Sequence, residues 1–186
     1  MNSITELYNK ALAHLGAKRL MSPDDTSPLA TACGDAYPSD RDYVLRLHHW
    51  NCATKRYDLN RLASQTIQID DATVYQYQLP SDCIRVMECS ADDWRIEGRV
   101  LITPDSSCSI RYVFRNEVVS SFDAAFAECV ALKLAATLAL NGVGSRERAI
   151  DMERRFVEAM NEARYIDALE RKRDVHTPEH LVRSRY

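Results

Sequence analysis

The stretch that most constrains this chain is Phe122 to Arg173, which reads as two long helices with a short break at Asn141-Gly142-Val143-Gly144. Between Asp123 and Asn141 only Glu128 and Lys133 are charged. Phe126, Cys129, Val130, Leu132, Leu134, Leu138 and Leu140 leave that helix almost no polar face, and a helix apolar nearly all round is a buried one. Its partner is of the opposite kind. Ala149, Met152, Phe156, Ala159, Ala163, Ile166 and Leu169 recur at spacings of three and four, a narrow apolar seam in an otherwise charged helix. At about 1.5 Å per residue this second helix is roughly 40 Å long. A greasy central helix beside a long amphipathic one is a scaffold, with no chemistry in it.

The 186 residues suit one domain, able to bury roughly 70% of the surface of its unfolded chain. A net charge of −3 gives no electrostatic case for tight, nonspecific nucleic-acid binding, which needs a basic stripe. The opening residues lack the basic-then-apolar layout of a signal peptide. The longest near-apolar run, Cys129 to Leu140, contains Lys133 and falls short of the ~20 residues that span a bilayer, so a soluble protein is expected. Six cysteines (Cys33, Cys52, Cys83, Cys89, Cys108 and Cys129) contain no CxxC pair and read as reduced thiols, several of them in apolar patterns.

Ser3-Ile4-Thr5-Glu6 fits a capping box, and Gly16 a left-handed terminator of the helix that follows. Met21 to Pro38 holds three prolines, three Asp and several Ser/Thr, and reads as a long loop. Ser39-Asp40-Arg41-Asp42 would then cap a second helix running to about Tyr57. From Ile67 the period becomes two. Strands are expected at Val74–Leu79, Ile84–Cys89, Trp94–Ile96, Val100–Ile102 and Ile110–Phe114, with a hairpin turn at Glu97-Gly98.

Three constellations bear on catalysis. His48 and Cys52 are four apart, as two metal ligands on a helix could be, but nothing at ligand spacing completes a site. His176-Thr177-Pro178-Glu179-His180 has the H-x-x-E-H order of inverted zinc peptidases. Pro178 breaks the helical turn that motif needs, and no acid follows to supply a third ligand, so it is a chance match. The pairs Asp24-Asp25, Asp70-Asp71 and Asp92-Asp93 fall in turns, where Asp bonds its own backbone. No G-x-S-x-G elbow and no phosphate-cradling glycine loop is present. The residues therefore name no catalytic group, no metal ligand and no cofactor.

Read together, several segments resemble the head-to-tail adaptor family of short-tailed bacteriophages, often called tail tubular protein A. They are Ala11-Leu12-Ala13-His14-Leu15-Gly16, Trp50-Asn51-Cys52-Ala53-Thr54-Lys55-Arg56, and Tyr75 through Leu79-Pro80-Ser81-Asp82 to Val86. Trp94 to Leu101, and Phe122-Asp123-Ala124-Ala125-Phe126 with the Leu/Ala-rich helix behind it, complete the set. No single piece is specific; their order and spacing over roughly residues 4 to 170 carry the likeness. The resemblance implies a homo-oligomeric ring, typically of twelve copies, under the portal protein and above the tail nozzle protein. It implies a place in the virion tail after assembly in the host cytoplasm, with genome DNA passing through the ring without sequence-specific binding. It also implies a C-terminal arm that reaches onto the portal, and no membrane partner.

The expected architecture is α+β: a mainly helical four-helix body with a small antiparallel β-sheet inserted between the second and third helices. Its parts would be 1–62 and 117–173 for the helical body, 63–116 for the inserted β subdomain and 174–186 for an extended arm. Arg183, Arg185 and Tyr186 are the expected portal contacts. Arg146, Arg148, Arg154 and Arg155, balanced by Glu147, Asp151, Glu153 and Glu158, would line the ring or channel as a mixed surface over which DNA slides. The rival readings are a virion-associated cell-wall or polysaccharide hydrolase, which needs a burial-perturbed carboxylate pair, and a cytosolic DNA-binding regulator.

Overall fold

The structure, a computed structural model, describes residues 3–22, 25–69 and 72–170, with the side chains of all of these except 63–69 and 72. Two helices come first, α1 (Ile4–Leu15) and α2 (Pro28–Leu47). Seven strands follow: β1 (Thr54–Asp58), β2 (Arg61–Ile69), β3 (Ala72–Gln78), β4 (Cys83–Cys89), β5 (Arg95–Glu97), β6 (Val100–Thr103) and β7 (Ser109–Phe114). Helices α3 (Ala124–Leu138) and α4 (Arg146–Leu169) close the described chain.

The architecture expected from the sequence, one small sheet inserted between the second and third helices of a four-helix body, is overturned. The strands that follow the first helices build two antiparallel sheets, ordered β1-β7-β4 and β2-β3-β6-β5. The reason is visible in β7. Its Ile110 and Tyr112 are buried on one face and Val113 on the other, so the sheet needs cover on both sides. Val113 joins the helical core, against which Ile84, Met87 and Phe114 also pack. Ile110, Tyr112 and Cys83 join a second core with Tyr77 and Leu101 from the other sheet and Leu79 just after β3. The result is three layers, helices then sheet then sheet, in place of a bundle with an appendage.

The two long helices lie where the sequence places them. Asp123 caps α3, its Oδ1 accepting from the Ala125 and Phe126 amides at 2.8 and 3.3 Å. Ten of the fifteen α3 residues are buried, and α3 packs against α1, α2 and α4. With the π turn that extends it (Ala139–Val143), the segment reaches 20 residues and is long and apolar enough to cross a membrane, longer than the run expected from the sequence. Its apolar surface is instead spent inside the protein, and both its charges are paired. Lys133 Nζ bonds the Glu153 carboxylate at 3.0 and 3.1 Å, and Glu128 meets Lys10 and His14. Gly142, at φ 98°, reverses the chain in the left-handed region that a side chain resists, and Ser145 then caps α4.

Helix α2 corrects the reading of 21–38 as a loop. It starts at Pro28 with Ser27 as its cap, the Ser27 Oγ accepting from the Ala30 amide at 3.3 Å. Pro at the first helical position has no amide to leave unsatisfied. Pro38 therefore lies within the helix, and Ser39 is no cap: its Oγ donates back to the Ala36 carbonyl at 2.9 Å. An interior proline costs about 3 kcal/mol. Burial of Cys33, Ala36, Tyr37, Val44 and Leu45 on the same helix offsets it. The far end is corrected too. Helix α2 stops at Leu47, and Thr54–Asp58 is strand β1, antiparallel to β7 with Thr54 opposite Val113.

Candidate functional site

The most unusual surface belongs to α4. Its buried face is Ala149, Met152, Phe156, Met160, Ala163 and Asp167. On the outward side Ile150, Val157, Tyr165 and Leu169 are 65%, 52%, 66% and 67% exposed. At 3.6 residues per turn those four positions fall within about a third of the helix circumference, spaced along roughly 30 Å. Arg154, Glu158 and Asn161, all exposed, fall within the same arc between those apolar side chains, and Glu162 stands at its edge. Leu140, at the turn leading into α4, is also exposed.

The seam expected from the sequence is partly right. Ala149, Met152, Phe156 and Ala163 are buried as read. Ile166 and Leu169 are not, and Met160 and Asp167 hold their places. An aspartate inside an apolar seam gives no periodic signal. Asp167 is buried because it is fully used: its Oδ1 accepts from the Asn51 amide at 2.8 Å, its Oδ2 lies 3.0 Å from His48 Nε2, and its carbonyl accepts from Asn51 Nδ2 at 3.0 Å. These bonds pin the end of α4 to the turn between α2 and β1, beside Trp50. The Trp50 indole donates to the Val44 carbonyl at 2.9 Å and packs on Phe126.

The four arginines read as a channel lining divide into two pairs. Arg148 donates to the Leu15 carbonyl at the end of α1, and Arg155 Nη2 lies 3.3 Å from His14 Nδ1. Both therefore fasten α4 to α1. Arg146 and Arg154 remain on the solvent side, the latter 3.0 Å from Asp151. The portal contacts Arg183, Arg185 and Tyr186, with the whole 174–186 arm and the 176–180 motif, lie outside the described residues, as do Asp24, Asp70 and Asp71.

Arg155, His14 and Glu128 stand in contact. A guanidinium only donates, so His14 Nδ1 accepts from Arg155, and its Nε2 lies 3.0 Å from Glu128 Oε1, close enough to pair but outside hydrogen-bond geometry. His14, then Lys10, hold the Glu128 carboxyl down to about 2. Asp40, on α2, is shifted the other way. Burial pushes its carboxyl up to about 6 although Thr137 Oγ1 donates to it at 3.1 Å, and its Oδ2 has no hydrogen-bond partner among the described residues. The two carboxylates do not share a cleft described here.

His48 and Cys52 are no metal pair: α2 ends before both, so the helical spacing is lost, and Cys52 sits in a 3₁₀ turn. Among the described residues no group of three or more His, Cys, Asp or Glu is placed to hold a metal. The described residues include two surface clefts of about 380 Å³ that bear on function. One, between α2 and the sheets, is lined by Asp42, Arg46, Arg99 and Arg115. Its cations are committed: Arg115 to Asp42 at 2.7 Å, Arg46 to the Ile84 carbonyl at 2.8 Å, and Arg99 to the carbonyls of Pro80 and Cys83. Arg115 and Arg46 join helix to sheet, and Arg99 joins the two sheets. The other lies along β1, β4 and β7, with Arg56, Glu88, Cys89 and Arg111 in its wall.

No family model matches the chain, and no curated protein matches it.

Proposed function

We propose that this chain is a structural virion protein, an adaptor whose copies close into a ring between the portal and the tail nozzle, and that it is not an enzyme. The observation that carries this is the outward row Ile150, Val157, Tyr165 and Leu169. Large side chains aligned on one flank of a rigid helix are what a protein surface shows where another protein covers it. A second copy is the partner the reading requires. Each α4 row meets the neighbouring subunit, and the contact repeats around a closed ring, so modest interfaces add up.

The resemblance supports the same reading through where its segments fall. They supply the end of α1, the Trp50 turn into β1, the β3–β4 connection, the β5–β6 hairpin and the start of α3. Those are the joints of the fold. Arg146 and Arg154, exposed in the single chain with Glu147 and Glu158 on the same side of α4 as those apolar residues, are assigned to a mixed-charge surface past which DNA slides where the ring leaves that side uncovered. Residues 174–186, with Arg183, Arg185 and Tyr186, are assigned to the portal.

Mixing the purified protein with a portal ring from a short-tailed phage and counting copies by negative-stain imaging tests the proposal. A collar of protein on one face of the portal, with the portal's own symmetry, is expected. Removing 174–186 should weaken its capture at least tenfold. Absence of any collar at saturating protein would reject the adaptor reading. Salt-sensitive gel-shift of free DNA by the monomer would favour a DNA-binding regulator in its place.

A further inference from the structure

Cys89 and Cys108 are free thiols whose sulfurs lie 3.2 Å apart. The strands hold them there. Cys89 ends β4 opposite Ile110 of β7, and Cys108 is two residues before Ile110, so both side chains project from the same face. Beside them the Ser90 amide donates to the Ser109 carbonyl at 2.9 Å, and the Ser109 amide donates to Ser90 Oγ at 3.0 Å. The Cys108 carbonyl in turn accepts from the Leu59 amide at 2.8 Å. Going from 3.2 Å to the ~2.05 Å of a disulfide asks only about 1 Å of side-chain movement. The two thiols differ in access. Cys108 is 5% exposed, whereas Cys89 is half-buried in the wall of the cleft that also holds Arg56 and Arg111.

We propose that Cys89 and Cys108 form an oxidative modification site, which closes to an intramolecular disulfide by exchange with a small anionic disulfide such as oxidised glutathione entering the cleft. The Cys89 thiolate attacks one sulfur of the oxidant, forms a mixed disulfide and expels one glutathione thiolate. Cys108 then attacks the Cys89 sulfur, its proton passing to solvent, and expels the second glutathione thiolate. Two protein thiols are oxidised, one small disulfide is reduced to two thiols, and two electrons pass between them. Cys89 acts first because the cleft reaches it. Burial, then the neighbouring thiol, push Cys108 up, so it is the second thiol to react and gives up its proton only as it attacks. The cleft wall is mixed in charge, Arg56 and Arg111 beside Asp58 and Glu88 with Arg111 paired to Glu88, and the two guanidiniums are its groups for the carboxylates of the oxidant. Cys33, Cys83 and Cys129 are buried and offer no such route.

The test is to incubate the native, full-length protein with oxidised glutathione at mildly alkaline pH, block remaining thiols by alkylation, and map the peptides. The expected result is a linked Cys89–Cys108 peptide as the main product, with the intact chain lighter by two hydrogens. Cys108→Ser should trap glutathione on Cys89, and Cys89→Ser should leave Cys108 to be found as free thiol. The wild-type map decides by itself if either variant misfolds. Recovery of both cysteines alkylated, or of a stable Cys89–glutathione adduct with Cys108 free in the wild type, would overturn the proposal.

Discussion

Asp40 is 6% exposed, and Thr137 satisfies one of its carboxylate oxygens while the other meets no donor among the described residues. Its carboxyl is therefore raised from 3.8 to about 6 by burial, so the native chain holds that proton more tightly than the unfolded one. The stability it contributes is complete below the unfolded value and lost as pH rises through about 6. Asp40→Asn keeps an acceptor for Thr137 and removes the charge. It should raise unfolding stability near neutral pH by roughly 1–2 kcal/mol and have little effect near pH 4, measured by urea unfolding at both. Glu128 runs with the opposite sign. Held down to about 2, it stabilises the fold above its unfolded value of 4.5, and that contribution fades as pH falls toward 2. Asn9 does its work without charge. Its Nδ2 donates to the Leu20 carbonyl at 3.0 Å and its Oδ1 accepts from the Leu20 amide at 2.7 Å, clipping the segment after α1 to the helix. Asn9→Ala strands both buried backbone groups, and a loss of about 1–3 kcal/mol is expected in the same unfolding assay.

At the scale of elements, how far the sequence could be read followed how much of each element is buried. Helix α3 is enclosed on all sides and α4 on one, so periodicity exposes both, and β7 alternates because its two faces enter two cores. Strand β1 has one half-buried residue followed by four exposed ones, which leaves no alternation to read. Only its ladder with β7 makes it a strand, and a ladder partner is not written in local sequence. Helix α2 misleads for a different reason. Ser27-Pro28 and Ser39-Asp40 are both credible starts, and the later one is more acidic and follows a proline; tertiary burial of Cys33 and Tyr37 selects the earlier. The outward residues of α4 were not legible: Leu169 reads as part of the buried seam, and Ile150, Val157 and Tyr165 fall on the side read as charged, since an exposed leucine and a buried one look alike in a heptad. The turn between α3 and α4 can be tested directly. Gly142→Ala must adopt φ 98° with a side chain, and a loss of at least about 1 kcal/mol is expected, with Gly34→Ala, which has open space around it and an ordinary helical place, as the mild comparison.

For the whole molecule, the three layers divide the labour. The α3-centred core and the shared middle sheet keep the body rigid, with Arg46, Arg99, Arg115 and Asn116 bridging helices, turns and sheets. That rigidity matters to an adaptor, because a ring closes only if every copy presents the same angle to its neighbour. In the proposed ring the face presented is α4's. Val157 and Tyr165 are more than half exposed and make no part of the described core, so replacing both by Asp should leave unfolding stability within about 0.5 kcal/mol of the original. The same pair of charges, set in an apolar contact repeated at every subunit boundary, should prevent copies from adding to one another. The direct measurement is a copy count per portal, by mass photometry or imaging, for the original chain and for the Val157→Asp/Tyr165→Asp double variant. The expected result is a full collar for the first and isolated, unassociated chains for the second. Equal collars for both would contradict the claim that copies of this protein meet through α4.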